Sequence, residues 1–186
     1  MADDARIRTL LDAISDSWRS RSGLRDAAVL APLVERDGVE RLLFTRRRDD
    51  LPHHAGQISF PGGVRQGGET PLSCALREAE EEIGVGGEGF SVLGALPERA
   101  SSARFQVHVI VARLSASAVL RPDSREVAAV LEIPLLDLDD PARWQSREVV
   151  SGRRSPCFPF GAQLLWGLTA RLTLDLLERL RREKKL

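Results

Sequence analysis

The sequence predicts an α/β fold in which helices pack against a mixed β-sheet. Three observations carry this expectation. Stretches with helical and strand periodicity follow one another as helix, strands, helix, strands, helix, with no linker or repeat between them. The 186 residues suit one domain with a substantial core, so residues 1–186 are expected to fold as a single unit. A content of 42% apolar and 29% charged residues fits a globular protein rather than a disordered or fibrous one.

Taken in order, "DARIRTLLDAISDSW" spaces Ile7, Leu10, Leu11, Ile14 and Trp18 along one face of an amphipathic helix, about residues 4–20. "AAVLAPLVE" and "RLLFTRR" read as strands, and Asp37-Gly38 between them suits a tight hairpin turn. "RRDDLPHHAGQ" is a polar loop that leads to a short strand at "ISF". Thr70-Pro71 opens the next helix, threonine as N-cap and proline at the first helical position, where no amide donor is missed. Gly84 ends it. "FSVLGALPE", "FQVHVIVARL" and "VAAVLEIPL" are three further strands, followed by a short helix near "LLDLDDPARW" and a hairpin around Ser151-Gly152. The last helix, about residues 162–184, would carry Leu164, Leu165, Leu168, Leu172, Leu176 and Leu180 on one face.

Lys plus Arg equals Asp plus Glu, at 27 each, so no global field attracts nucleic acid or a membrane. No apolar run approaches the ~20 residues that cross a bilayer, and the N-terminus lacks a signal-peptide pattern; a cytoplasmic protein is expected. The final "KKL" has a large charged residue where a peroxisomal ending has a small one, and a basic helix end accounts for it. The two cysteines, Cys74 and Cys157, give neither a disulfide framework nor a zinc site; Cys74 reads as a small packing residue.

The local charge is more informative. Glu78, Glu80, Glu81 and Glu82 crowd one short helix, where like charges repel, so a positive ligand is expected to offset them. A solvated acidic face is the plain alternative. With ~100° per residue, Leu72, Ala75, Leu76, Ala79 and Ile83 share one stripe, Glu78, Glu81 and Glu82 the adjoining one, and Glu80 points away. Arg77, one turn before Glu81, is placed to neutralise part of the cluster. Such a set of oxygen ligands suits Mg²⁺ or Mn²⁺, which share their coordination sphere with phosphates. Gly62 and Gly63 just upstream allow a sharp turn and close backbone approach, and Glu69 stands at the mouth of the helix, to hydrogen-bond the loop or reach a second ion.

Gly63, five residues, Glu69, seven residues, then Arg77-Glu78-Ala79-Glu80-Glu81-Glu82-Ile83-Gly84-Val85 resembles the Nudix box at every defined position. The resemblance implies an α/β/α sandwich, with a mixed sheet between helices, that hydrolyses a nucleoside diphosphate linked to another moiety with Mg²⁺ or Mn²⁺. It implies Glu78 and Glu82 as metal ligands, Glu81 as ligand or base, and Arg77 as their structural partner. Some members draw the base from a late loop, where Glu126 in "DSREV" is the candidate. Upstream, "LLFTRRRDDLPHHAGQISFPGG" resembles the stretch that marks the coenzyme A diphosphatase branch. Thr45, Arg47, Gly56 and Phe60 to Gly63 coincide, whereas Arg48 replaces a small residue and Pro52 an arginine.

Coenzyme A or a related nucleoside diphosphate derivative is therefore the expected substrate. Arg46, Arg47 or Arg48 would meet the 3′-phosphate, unless they form a salt-linked loop with Asp49 and Asp50. His53 or His54 would meet phosphate or else face solvent, and His108 reads as a core or edge histidine. Two alternatives stay open: a hydrolase of ADP-ribose or another nucleotide, and a nucleotide sensor without turnover. A monomer and a homodimer are equally compatible with the sequence.

Overall fold

The computed structural model describes residues 3–149 and 152–182. The elements in chain order are α1 (Asp4–Leu10), β1 (Arg25–Arg36), β2 (Val39–Arg47), β3 (Ile58–Ser59), β4 (Gly62–Val64), α2 (Pro71–Ile83), β5 (Phe90–Ala100) and β6 (Phe105–Leu114). There follow β7 (Val127–Pro134), α3 (Leu135–Asp139), β8 (Gln145–Val149), β9 (Arg153–Phe160), β10 (Gln163–Trp166) and α4 (Gly167–Arg182).

A seven-stranded mixed sheet lies at the centre, in the order β3-β2-β1-β6-β5, with β4 paired to β1 and β7 to β2 off this path. β1 and β2 form the expected hairpin, and its turn places Asp37 and Gly38 at φ 52° and 74°, the positive values that a two-residue turn requires. β6 runs parallel to β1, and the remaining pairs are antiparallel. The hairpin partners pair only from Leu33 to Arg36 on β1. Nearer its start the same strand pairs with β4 at Ala27–Val29, and between these stretches Leu30 N–H donates to Pro61 O at 2.8 Å. The Pro61–Gly63 turn thus enters where the hairpin parts, and this opening holds the site.

Alternation along the strands divides two cores. Ala28, Leu30, Val34, Ile110 and Ala112 face α2 and meet its Cys74, Ala75, Ala79 and Ile83. Ala31, Leu33, Val109 and Val111 face the other way, towards Ile7 of α1, Leu172 and Leu176 of α4, and Phe158 and Leu165 of a small sheet β10-β9-β8. The molecule is therefore an α/β/α sandwich whose second outer layer also contains a three-stranded sheet. Both cysteines are buried and free, and burial pushes the Cys74 thiol up to about 12, in keeping with a packing role. Among the described residues, no helix is long and apolar enough to cross a membrane.

Two expected helices are shorter than their periodicity suggests. The first stops at Leu10, not near residue 20. Asp12 exchanges backbone hydrogen bonds with Ala95 of the edge strand β5, at 3.0 and 2.9 Å, and Ser15 Oγ turns to Ser17 O at 2.8 Å. These partners draw the backbone out of helix into a strap. Its apolar spacing serves both cores, Leu11 packing on the α4 side and Ile14 and Trp18 on the α2 side. The last helix begins at Gly167, not at 162, because Gln163–Trp166 pairs with β9, Leu165 opposite Phe158. Leu164 and Leu165 thus belong to a strand, while Leu168, Leu172, Leu176 and Leu180 do share the packed side of α4. Residues 183–184 of the expected helix and Ser151 of the expected hairpin lie outside the described residues; β8 and β9, which flank that turn, pair antiparallel.

His108 is buried on β6, and burial holds its imidazole below the ordinary 6.5. The unfolded chain therefore takes up this proton first. The histidine's contribution to stability is full above about pH 6.5 and falls as pH drops through the lowered folded value. In urea unfolding between pH 5 and 8, the gap between wild type and His108→Gln should narrow on acidification; a gap independent of pH would refute this.

Candidate active site

Helix α2 is held at both ends. Thr70 Oγ1 accepts from Ser73 N at 3.1 Å, and Ser73 Oγ accepts from Thr70 N at 2.9 Å, a reciprocal cap with Pro71 at the first helical position. At the far end Gly84 takes a left-handed conformation and its N–H donates to Glu80 O at 2.9 Å. Any Cβ there would meet Arg121 Cβ and O at 2.7 Å. The loop before β7 closes on the last turn, with Arg121 N–H donating to Ile83 O at 2.8 Å and Asp123 N–H to Glu82 O at 3.1 Å. Glu126 follows on the same loop, its carbonyl accepting from Arg48 N at 2.9 Å.

Arg77 is the hub of the acidic side. Its Nε donates to Glu69 Oε1 at 2.5 Å, its Nη1 lies 2.8 Å from Glu78 Oε1 and 3.0 Å from Glu81 Oε2, and its Nη2 donates to Val64 O at 3.2 Å. The carboxylates that surround it, Glu69 first, raise the pKa of Arg77. Glu69 is held below the usual carboxylate range, chiefly by Arg77, and also accepts from Gln66 N at 2.8 Å.

Glu78 and Glu82 face the opening in the hairpin. Glu82 is only 6% exposed; Thr45 Oγ1 donates to its Oε2 at 2.8 Å, and the Gly62 backbone adds a second bond. Burial, opposed by these bonds and by Arg47 and assisted by the Glu78 charge, pushes Glu82 up to about 7. The Glu78 side chain is 14% exposed, and burial raises its pKa against the pull of Arg77, with the Glu81 and Glu126 charges adding to the rise. A Cβ on Gly63 would collide with the Glu78 carboxylate, and one on Gly62 would lie 2.5 Å from Ala28 O and 2.6 Å from Val29 Cα. The two glycines thus serve different ends: Gly62 admits the neighbouring strand, and Gly63 makes room for a carboxylate.

The predicted site residues divide by position. Glu78 and Glu82 come together beside Gly62 and Gly63, and the Glu126 charge bears on Glu78 from the facing loop. The Glu126 side chain is 54% exposed and 3.4 Å from Arg47 Nη1. Glu81 is 57% exposed and held, like Glu69, by Arg77. Glu80 is exposed, as its position on the helix implies. Among the described residues no three His, Cys, Asp or Glu side chains form a metal shell, since Glu69 and Glu81 turn to the guanidinium. Arg46 binds Asp49 at 2.5 and 2.7 Å, and Arg48 binds Asp50 at 2.8 and 2.6 Å, so both take the salt-linked form. His54 Nδ1 lies 2.9 Å from Gln57 Oε1, and His53 is exposed.

Thr45 had no assigned role in the sequence reading, although a hydroxyl at an inward position of "LLFTRR" is its signal. Trp18, expected on the apolar face of a longer helix, also donates its Nε1–H to Glu69 O at 2.6 Å. An oxygen-only pair of carboxylates, Glu82 buried and Glu78 partly so, both with raised pKa, suits a hard divalent cation that completes its sphere with substrate oxygens.

Comparison with known proteins follows the geometry. Residues 24–152 match the NUDIX domain family. Over 150 residues, 78% of each chain, the sequence is 37% identical to the uncharacterized Nudix hydrolase NudL of Pectobacterium atrosepticum. The fold resembles RenU, a Nudix hydrolase from M. smegmatis, at TM-score 0.56 and 20% identity, covering 94% of this chain and 93% of that one. It also resembles the NUDIX domain of Shewanella oneidensis NrtR, determined with ADP ribose, at TM-score 0.56 and 17% identity, covering 88% and 93%.

The glycines give a paired test. Gly62→Ala drives a methyl into backbone and should cost about 1–3 kcal/mol in urea unfolding. Gly63→Ala meets only the end of a flexible side chain, so it should unfold near the wild-type midpoint yet weaken Mn²⁺ binding by displacing Glu78. Equal stability losses in the two variants would contradict this division.

Proposed function

The chain belongs to the Nudix domain family, and from that premise we propose that it hydrolyses the diphosphate bond of coenzyme A or a derivative. The products are 4′-phosphopantetheine, or its acyl form, and 3′,5′-ADP. The observation that carries the hydrolytic reading is the Glu78–Glu82 pair beside Gly63, Glu82 buried and Glu78 partly so. The choice of substrate rests on the stretch from Thr45 to Gly63 that resembles the coenzyme A branch.

In this reading Glu78 and Glu82 hold Mg²⁺ or Mn²⁺, with Glu81 and Glu69 within the same acidic cluster as further ligands. The bound cation supplies positive charge to phosphoryl oxygens as negative charge develops on them. Thr45 and the Gly62 N–H fix the Glu82 carboxylate, and Arg77 fixes Glu78. Glu126 takes the proton of the attacking water. Two facts favour it over Glu81: its exposed carboxylate bears on Glu78, and Glu81 is engaged by Arg77. Arg47, 3.4 Å from Glu126, is the arginine of the basic run placed to meet the substrate phosphates, with Arg46 and His54 at the margin and Gly62 and Gly63 leaving the backbone open to approach.

Incubation of the purified protein with coenzyme A and Mg²⁺ or Mn²⁺ should yield 4′-phosphopantetheine and 3′,5′-ADP by mass. Glu82→Gln should lower turnover by about 10²-fold or more. Intact coenzyme A beside cleaved ADP-ribose would move the substrate and keep the chemistry; ligand binding without any cleavage would favour a sensor. For the base, Glu126→Gln should reduce kcat by roughly 10²–10⁴-fold. A larger kcat loss in Glu81→Gln would transfer the role.

A further inference from the structure

The N-terminal strap crosses the β5 edge at Asp12 and runs over the α2 side of the sheet, where Trp18 meets the segment between Gly63 and α2 at two points. Its Nε1–H donates to Glu69 O at 2.6 Å, and the Arg65 guanidinium lies 5.4 Å from its ring centroid. From beneath, His108 meets the ring edge-on at 5.0 Å and 78°. Two residues further on, Ser20 Oγ bonds Asp26, whose other contact is Arg65 at 3.5 Å. The strap thus grips this segment at both Arg65 and Glu69.

What makes the grip matter is the residue it holds. Glu69 is fixed by its carbonyl to Trp18 and by its carboxylate to Gln66 N and Arg77. Arg77 in turn spans Glu78 and Glu81. A loosened Glu69 backbone swings its carboxylate away from Arg77 Nε, and the guanidinium loses the anchor that fixes its plane. Its indole is the donor for the Glu69 carbonyl, a part-buried acceptor.

The geometry points to Trp18 as a positioning residue of the carboxylate site: through Glu69 it sets Arg77, and through Arg77 it sets Glu78 and Glu81. The consequence for catalysis rests on the hydrolase reading above; the positioning itself does not.

Trp18→Phe tests it, because phenylalanine keeps a ring against His108 and Arg65 while losing the N–H together with the smaller ring of the indole. The first readout is solvent exchange of the Arg77 Nε–H, followed by NMR, since that proton reports the bond to Glu69. Exchange should be about fivefold faster in the variant, the worth of one net hydrogen bond, under conditions where both proteins are folded. The second is Mn²⁺ titration by electron paramagnetic resonance, in which half-saturation should rise severalfold. An Arg77 Nε–H as protected in Trp18→Phe as in wild type overturns the proposal, and so does faster exchange with unaltered Mn²⁺ binding. Failure of the hydrolase reading is recognised separately, on the unmutated chain, as Mn²⁺ binding without cleavage of any diphosphate. Wild-type protein that binds no Mn²⁺ sinks the metal reading, and the exchange comparison then decides the positioning alone.

Discussion

A single guanidinium organises the acidic side of this molecule. Five glutamates between Glu69 and Glu82 would drive the segment apart, yet Arg77 reaches three of their carboxylates and the Val64 carbonyl. Its planar fork joins the incoming turn to helix α2 at several angles, which the single ammonium of a lysine does not match. Of the other two, Glu80 is exposed, and Glu82 lies in a different environment. It sits in the opening of the hairpin with Thr45 and Gly62 as partners, where burial and not a full ion pair governs its charge. One set of carboxylates is thus held by a cation of the chain, and Glu82 by burial with polar partners that carry no full charge.

Much of the central sheet was legible in the sequence because its signals are local. Asp37-Gly38 carries the hairpin in its own backbone preference, and Thr70, Pro71 and Gly84 mark the ends of α2 without reference to anything distant. The strap and β10 were not legible. Ile7, Leu11, Ile14 and Trp18 satisfy helical spacing, but the same residues serve a chain that wraps an edge and feeds two cores. Helical periodicity reports which residues are buried, not which backbone bonds they make. At Asp12 those bonds go to a strand remote in sequence, and at Leu165 to the preceding strand of a hairpin.

The site divides in the same way. The identity and spacing of Glu78, Glu82, Gly62 and Gly63 located it, and the two glycines do stand where a side chain would collide. The convergence of Glu78, Glu81 and Glu82 was only half right in the described structure, since helical geometry gives the direction of a side chain but not the partner that claims it. Arg77 claims Glu81. The basic run followed equally local logic: Arg46 and Arg48 find Asp49 and Asp50 a few residues away, leaving Arg47 for the loop of Glu126. Thr45 and Trp18 act across distances in sequence that no local pattern encodes.

The parallel pairing of β1 with β6 has a consequence for the order in which the molecule is completed. Along the chain the strap precedes β1 and α2, but the edge strand that receives it is held by β6, which follows them both. Such contacts between distant parts of the chain form slowly and late. A growing chain therefore carries its full set of glutamates, with Arg77 among them, before the strap has an edge to cross. The strap precedes in the chain the edge it must cross, and is among the last segments to find its place.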